Sequence, residues 1–251
     1  MIDPLVLKAK AGKLSSGELE SVLSELSEIL RKTRIDPSFA YPRASKIDRL
    51  RVQLTDHDLA SASRELHGKP THRVGSASVQ SSAASRESDA KPRRDPFLLL
   101  EIVGEAGGKE LAKSVEPFLD WPDDPMVAML ALEILTTYWG LSDQYRDTII
   151  KLMKGVKWDV ENDVREVAIT AAGEALRQQR DRELLQHLID IARDENESSS
   201  IRGQAIASLG RAEGMSWQDL PNPADAILPT GELARLVLDR ARAMTGEPDR
   251  N

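Results

Sequence analysis

Side chains that could form a catalytic or metal site are few in this sequence and poorly spaced. The four histidines are His57, His67, His72 and His187, and no two have the i, i+4 spacing of a zinc-binding helix. The chain has no cysteine, which excludes disulfides, thiolate metal sites and a cysteine nucleophile. It also contains neither a G-x-S-x-G motif nor a glycine-rich phosphate loop. We therefore expect a noncatalytic protein without a metal site or cofactor.

The densest aromatic cluster is the stretch TTYWGLSDQYR at residues 136–146, in a chain with only 4 Trp, 3 Tyr and 3 Phe. Residues 126–139 are apolar at nearly every position, and such a helix is usually buried on most sides. The pattern predicts that Tyr138 and Trp139 pack at the end of this helix. It also predicts that Gly140 closes the helix in a left-handed conformation.

The alternative is that aromatic and arginine side chains project from this turn and bind a partner, since Trp, Tyr and Arg dominate binding hot spots. A second candidate is the polar loop GVKWDVENDVR at residues 155–165. It lacks the glycine and the distal glutamate of a calcium loop, so a metal site is not expected there. We expect its tryptophan to fill a gap between neighbouring repeats; the alternative is that its carboxylates form a partner-facing acidic edge. The candidate partner-binding residues are Trp139, Tyr145, Arg146, Trp158, Asp159 and Glu161.

The elements that must position these residues repeat along the chain. The segments MVAMLALEILTTYWG, DVREVAITAAGEALR and SIRGQAIASLGRAEG align without gaps, with Val127, Val164 and Ile201 spaced 37 residues apart. Two further sets match at the same spacing: Ala131, Ala168 and Ala205, and then Leu135, Ala172 and Leu209. A fainter copy lies in DPFLLLEIVGEAGG, from residue 95. A period near 37 with two helices per unit predicts an α-solenoid, whose small matched residues allow close helix stacking.

The second and third segments resemble HEAT repeats of the bacterial type, which also occur in phycobilisome-lyase-like proteins. The resemblance covers residues 95–214 and is carried by the run Asp163-Val164-Arg165 together with Ala168 and Gly173. It implies a short solenoid of helical hairpins. It also implies three kinds of function: an immunity or adaptor protein, a nucleic-acid binder or DNA glycosylase, and a bilin lyase or chaperone. A line of Arg165, Arg177 and Arg202 on one face would favour nucleic acid.

Four regions are predicted around these repeats. Residues 1–67 form an N-terminal helical segment, 68–94 a flexible Ser/Ala-rich linker, 95–214 the HEAT-like repeats, and 215–251 a loop and a capping helix. The first helix, over residues 15–33, opens with a capping box of Ser15 and Glu18. Its apolar stripe is Leu19, Val22, Leu23, Leu26 and Leu30. This stripe must pack either in cis or against a second chain.

Charge and hydropathy restrict the partner. The net charge is −7, and residues 95–195 carry 21 acidic but only 11 basic side chains. An acidic surface disfavours nucleic acid and suits a basic protein. The longest apolar run, residues 126–132, is too short to span a bilayer, and the N-terminus lacks a signal-peptide core. We expect a cytoplasmic, all-α protein-binding scaffold whose partner is a basic protein, with its oligomeric state left open.

Overall fold

The computed structural model describes residues 3–35, 94–216, 220 and 232–245. All regular secondary structure within these ranges is helical, which confirms the predicted all-α class. The chain divides into two compact units, residues 1–106 and 107–251. Residues 36–67 of the predicted N-terminal segment and residues 68–93 of the linker predicted over 68–94 lie outside the described residues.

The first unit contains three described helices: α1 Pro4–Lys10, α2 Ser16–Ile35 and α3 Pro96–Ala106. The predicted capping box at the start of α2 is confirmed, because Ser15 N donates to Glu18 at 2.9 Å and Glu18 N donates to Ser15 Oγ at 3.3 Å. Asp3 begins α1 by accepting a hydrogen bond from Leu5 N at 2.8 Å. These caps satisfy backbone N–H groups that have no partner inside their helices.

Helix α2 packs in cis against α3. It buries Val22 and Leu26 from the predicted stripe together with Ile29, whereas Leu30 is half-buried. Arg94, at the end of the predicted linker, is also half-buried and paired with α1 and α2 residues rather than solvated. Helix α3, which begins the fainter repeat copy, packs against α1 and α2. The boundary between the two compact units falls directly after this helix.

The second unit holds seven α-helices in its described part. They are α4 Ala112–Val115, α5 Pro125–Glu133, α6 Arg146–Met153, α7 Asp163–Gln178, α8 Arg182–Arg193, α9 Ser199–Ala212 and α10 Glu232–Thr245. Short 3₁₀ turns flank α4, and a π-helix, Ile134–Tyr138, continues α5. Pro125 occupies the first turn of α5, where the missing N–H has no intrahelical partner to lose.

The 37-residue period corresponds to a stack of helices. Helix α5 packs on α7 and α7 on α9, while α6 and α8 flank this row by packing on α7 and α9. The nine matched positions, Val127, Ala131, Leu135, Val164, Ala168, Ala172, Ile201, Ala205 and Leu209, are all buried. Matched residues thus form the apolar interface between successive helices, an arrangement compatible with an α-solenoid.

A close stacking contact lies at Gly173 in α7. A Cβ atom there would sit 2.8 Å from both Cβ and the backbone oxygen of Ser208 in α9. Carbon and oxygen atoms that are not bonded do not approach so closely, so no residue larger than glycine fits without moving one helix. This confirms that a small residue permits close stacking at this repeat position.

Helix α10 packs against α8 and α9, at the end of the row. Val237 and Ala241 are fully buried there, while Leu236 is exposed. Most of the preceding loop lies outside the described residues. No helix in the described ranges combines the length and apolar character needed to cross a bilayer.

Candidate functional site

The aromatic cluster lies on a widened helical turn. The predicted single helix over 126–139 instead ends its α-helical part at Glu133 and continues as a π-helix. Trp139 N donates to Ile134 O at 2.9 Å, the i to i−5 bond of a π turn. Gly140 has φ +61°, which confirms the predicted left-handed cap.

The π turn separates the two adjacent aromatic side chains. Trp139 is 6% exposed, whereas Tyr138 is 42% exposed, so the prediction that Tyr138 packs inside is wrong. Ala175, which lies 37 residues after Tyr138, is buried. Tyr138 is thus exposed where its repeat counterpart is buried, whereas Trp139 and its counterpart Leu176 are both buried.

Trp139 and Tyr145 do not project from the turn. Their side chains are 6% and 5% exposed, so the expectation that they offer an open binding surface is wrong. Burial also raises the pKa of the Tyr145 hydroxyl. Both aromatic rings serve as packing groups at the junction between α5 and α6.

Arg146 joins neighbouring hairpins. Its guanidinium pairs with Asp181 and Glu183 at the start of α8, with N–O distances of 3.2 Å to Asp181 Oδ1 and 2.5 Å to Glu183. Asp181 also caps α8 by accepting from the backbone N–H groups of Glu183 and Leu184, at 2.9 and 3.1 Å. The Arg146 guanidinium holds the pKa of Asp181 below its usual range. Arg146 is therefore engaged within the fold.

Asp159 is also an internal group, which corrects its prediction as part of an exposed acidic edge. Its carboxylate is buried and accepts a hydrogen bond from Arg165 N at 3.0 Å. Burial raises the pKa of Asp159, against hydrogen bonds from backbone N–H groups at the start of α7. Because helix N-termini favour negative charge, Asp159 acts as a cap for α7.

The remaining candidates lie on the loop of residues 154–162, which joins α6 to α7. Trp158 is half-buried and Glu161 is exposed. Between them, Val160 is 84% exposed, the highest value among the exposed large hydrophobic residues of the described chain. Val160 was not among the predicted partner-binding residues. The sequence signal for it is an isolated β-branched residue between two acidic residues of a polar loop.

The backbone of this loop is held in a defined conformation. Gly155 has φ +84° and Asn162 has φ +63°, both in the left-handed region. A non-glycine residue seldom adopts that region, although asparagine does so more readily than most residues. Val160 lies between these two residues and directly follows the Asp159 cap. The loop is therefore preorganised to present an apolar side chain beside a carboxylate.

The repeat arginines stabilise the turns between helices. Arg165 donates to Met153 O, at the end of α6, at 2.8 Å, and pairs with Glu197 at 2.9 Å. Arg202, 37 residues later, donates to Ala192 O in the last turn of α8 at 3.4 Å. Each of these arginines thus caps the carbonyl end of the preceding helix.

The predicted cationic line also includes Arg177. It is mostly exposed but pairs with Glu174 at 3.1 Å. With Arg165 and Arg202 bound to main-chain carbonyls, these three arginines do not form an open cationic face for nucleic acid.

A shallow groove of about 230 Å³ runs beside the loop, with both acidic and basic side chains in its walls. It is lined by Met153, Lys154, Arg165, His187, Asp190, Ile191, Asp194 and Glu197. Arg165 and Glu197 neutralise each other across it. Among the described residues, no group of three or more His, Cys, Asp or Glu side chains is placed to hold a metal. The groove and the loop of residues 154–162 form one edge of the helix row.

Comparison with known proteins identifies no relative of this chain. The chain matches no protein-family model, and it matches none of the curated proteins or solved structures.

Proposed function

We propose that this chain is a noncatalytic, HEAT-like protein-binding scaffold that contacts its partner through the loop of residues 154–162. The observation that carries this proposal is the exposure of Val160 on a loop whose backbone is constrained. An exposed apolar side chain on a preorganised loop loses little conformational freedom on binding, so its burial contributes directly to affinity. The half-buried Trp158 supplies an aromatic neighbour of the type enriched at hot spots.

Charge favours a basic partner. Glu161 on the loop, and Asp194 and Glu195 on the next inter-helix turn, are exposed along this edge. The cations Lys154, Lys157 and Arg193 are exposed there too, so the preference for a basic partner rests on the acidic excess over residues 95–195. Asp194 has a pKa below its usual range because the backbone N–H of Asn196 donates to it, so it stays ionised over the physiological range. Long-range attraction between this edge and a cationic protein would increase the association rate and weaken with salt. An immunity or adaptor protein is the narrower form of this proposal.

Affinity capture with matched variants tests the loop. The full-length chain, Val160→Ser and Leu236→Ser are each used to capture proteins from the source organism at low salt. Leu236 on α10 is an exposed aliphatic residue and serves as the control. One basic protein retained by the wild type and by Leu236→Ser, but lost with Val160→Ser, supports the proposal. Capture that does not depend on Val160, or recovery of nucleic acid alone, contradicts it.

The purified complex tests the charge contribution. Val160→Ser is expected to raise Kd about 10-fold, equivalent to about 1.4 kcal/mol. Glu161→Gln is expected to reduce the salt dependence of the association rate, while Glu232→Gln on α10 leaves it unchanged. Equal salt dependence of the association rate for the wild type, Glu161→Gln and Glu232→Gln would exclude Glu161 from the interface.

A further inference from the structure

A buried ion pair joins α1 to α3 in the first unit. The Nζ atom of Lys10 lies 3.0 Å from Glu101 Oε1 and 3.3 Å from Glu105 Oε1. The Glu101 side chain is fully buried, and that of Lys10 is 12% exposed. Neither carboxylate oxygen of Glu101 has a geometrically formed hydrogen bond among the described residues, so its contact with Lys10 is an ion pair at 3.0 Å. Lys10 therefore provides the principal compensation for the burial of this carboxylate.

The energetic balance of this pair is delicate. Burial raises the pKa of Glu101 even though Lys10 opposes the change, and the two carboxylates together raise the pKa of Lys10 despite its burial. Removing a carboxylate from water is unfavourable, and only a well-placed counter-charge offsets the loss of hydration. A partly formed contact would leave Glu101 both dehydrated and unpaired. The pair thus favours two states of α1: fully docked, or released with Glu101 hydrated.

A second set of ion pairs ties α1 and α2 to the start of α3. Arg94 Nε lies 2.7 Å from Asp3, and Arg94 Nη1 lies 3.1 Å from Glu25. The backbone N–H of Arg94 also donates to Glu25 at 2.6 Å. Both N-terminal helices are therefore attached to α3 by charged contacts at separate points.

The apolar part of this docking is small. Across their 7 and 20 residues, α1 and α2 bury only five apolar side chains, namely Val6, Ala9, Val22, Leu26 and Ile29. Leu7 and Ile35 are exposed. Segments that bury few apolar contacts open locally at lower free energy than the core of a protein.

We propose that α1 and α2 form a releasable latch on α3, which opens while the helix row of the second unit stays folded, with the Lys10–Glu101 pair as its closing contact. Opening uncovers the apolar surface of α3 that the two helices occupy. The latch is an internal conformational device and is independent of the partner proposed for the loop of residues 154–162.

Hydrogen exchange of the full-length chain, followed by mass spectrometry, tests the latch. In the wild type, amides of α1 and α2 are expected to exchange through an opening that leaves α7 and α9 protected. Lys10→Met leaves Glu101 buried without its cation and is expected to increase exchange in α1 and α2 by about 100-fold or more. Lys13→Met is the matched control, because Lys13 is exposed and forms no ion pair with another described residue.

A double variant separates the ion pair from general damage. Lys10→Met combined with Glu101→Leu replaces both charges with apolar groups and is expected to restore protection in α1 and α2 to within about 10-fold of the wild type. Exchange of α7 and α9 should be unchanged in all variants. Wild-type exchange in which all these helices open together would overturn the latch. So would Lys10→Met behaving like Lys13→Met, or failure of the double variant to restore protection.

Discussion

Substitution of Gly173 by alanine tests the helix stacking most directly. The added methyl carbon would lie 2.8 Å from the Ser208 backbone oxygen and 3.0 Å from its Cα. Because the obstruction is main chain, α7 and α9 must separate rather than rotate a side chain. Overpacking of this kind costs about 1–3 kcal/mol, and the backbone obstruction places Gly173→Ala near the upper limit. Replacing glycine with alanine inside a helix raises the free energy of unfolding by about 1 kcal/mol, because alanine has the higher helix propensity. The expected net loss of stability for Gly173→Ala is therefore about 1–2 kcal/mol.

Gly203 in α9 provides the matched control. It also lies inside a helix, but a Cβ atom at this position would meet no atom within 4 Å. Gly203→Ala should therefore gain the helix propensity of alanine without overpacking, about 1 kcal/mol. The two variants add the same methyl group to helices of the same row and are expected to change stability in opposite directions.

Thermal and urea denaturation, followed by circular dichroism at 222 nm, measure both effects. For a chain of this size, Gly173→Ala is expected to lower Tm by about 2–8 °C and Gly203→Ala to raise it by about 2–4 °C. If Gly173→Ala were as stable as Gly203→Ala, the close approach of α7 to α9 would be refuted. The assignment of residue 173 as a small stacking position would fail with it.

Three further predictions concern side chains that the fold placed unexpectedly. Asp181 has a lowered pKa because of Arg146, so the stability advantage of the wild type over Asp181→Asn should be about 1 kcal/mol near neutral pH. Urea titrations should show this advantage shrinking as the pH falls through the lowered pKa and the carboxylate gains a proton. Asp159 has a raised pKa, so Asp159→Asn should gain stability relative to the wild type as the pH rises from about 3 to 7. Asp159→Ala should instead lose about 1 kcal/mol of stability, because it removes the cap. An equal loss of stability for both variants would contradict the capping role of Asp159. Trp139→Ala should lose about 3 kcal/mol or more, but Tyr138→Ala less than about 1 kcal/mol, in the same denaturation assay.

Local sequence signals predicted several helix ends because the interactions behind them are short in sequence. Ser15 and Glu18 form their box within one turn, and Pro125 needs only its own fixed φ. Gly140 adopts the left-handed conformation without a Cβ penalty. In each case the partner atoms lie within a few residues, so their identity is visible in the sequence.

The candidate site was harder to predict because exposure depends on distant contacts. Trp139, Tyr145 and Asp159 all have side chains suited to binding, but the fold uses them for packing or capping. Val160 resembles a core residue by type but is exposed on a loop. Residue type alone does not reveal how a loop lies against the helices that it joins.

The sequence by itself determined the helical class and the 37-residue period, because apolar residues spaced for one helix face must be buried together. It also identified the small positions where helices stack, such as Gly173. Only the tertiary structure decided which charged groups face inward. Arg146 meets Asp181 and Lys10 meets Glu101 across 35 and 91 residues, and a single sequence contains no local signal for pairs so far apart. Those long-range contacts determine which side chains remain at the surface to bind a partner.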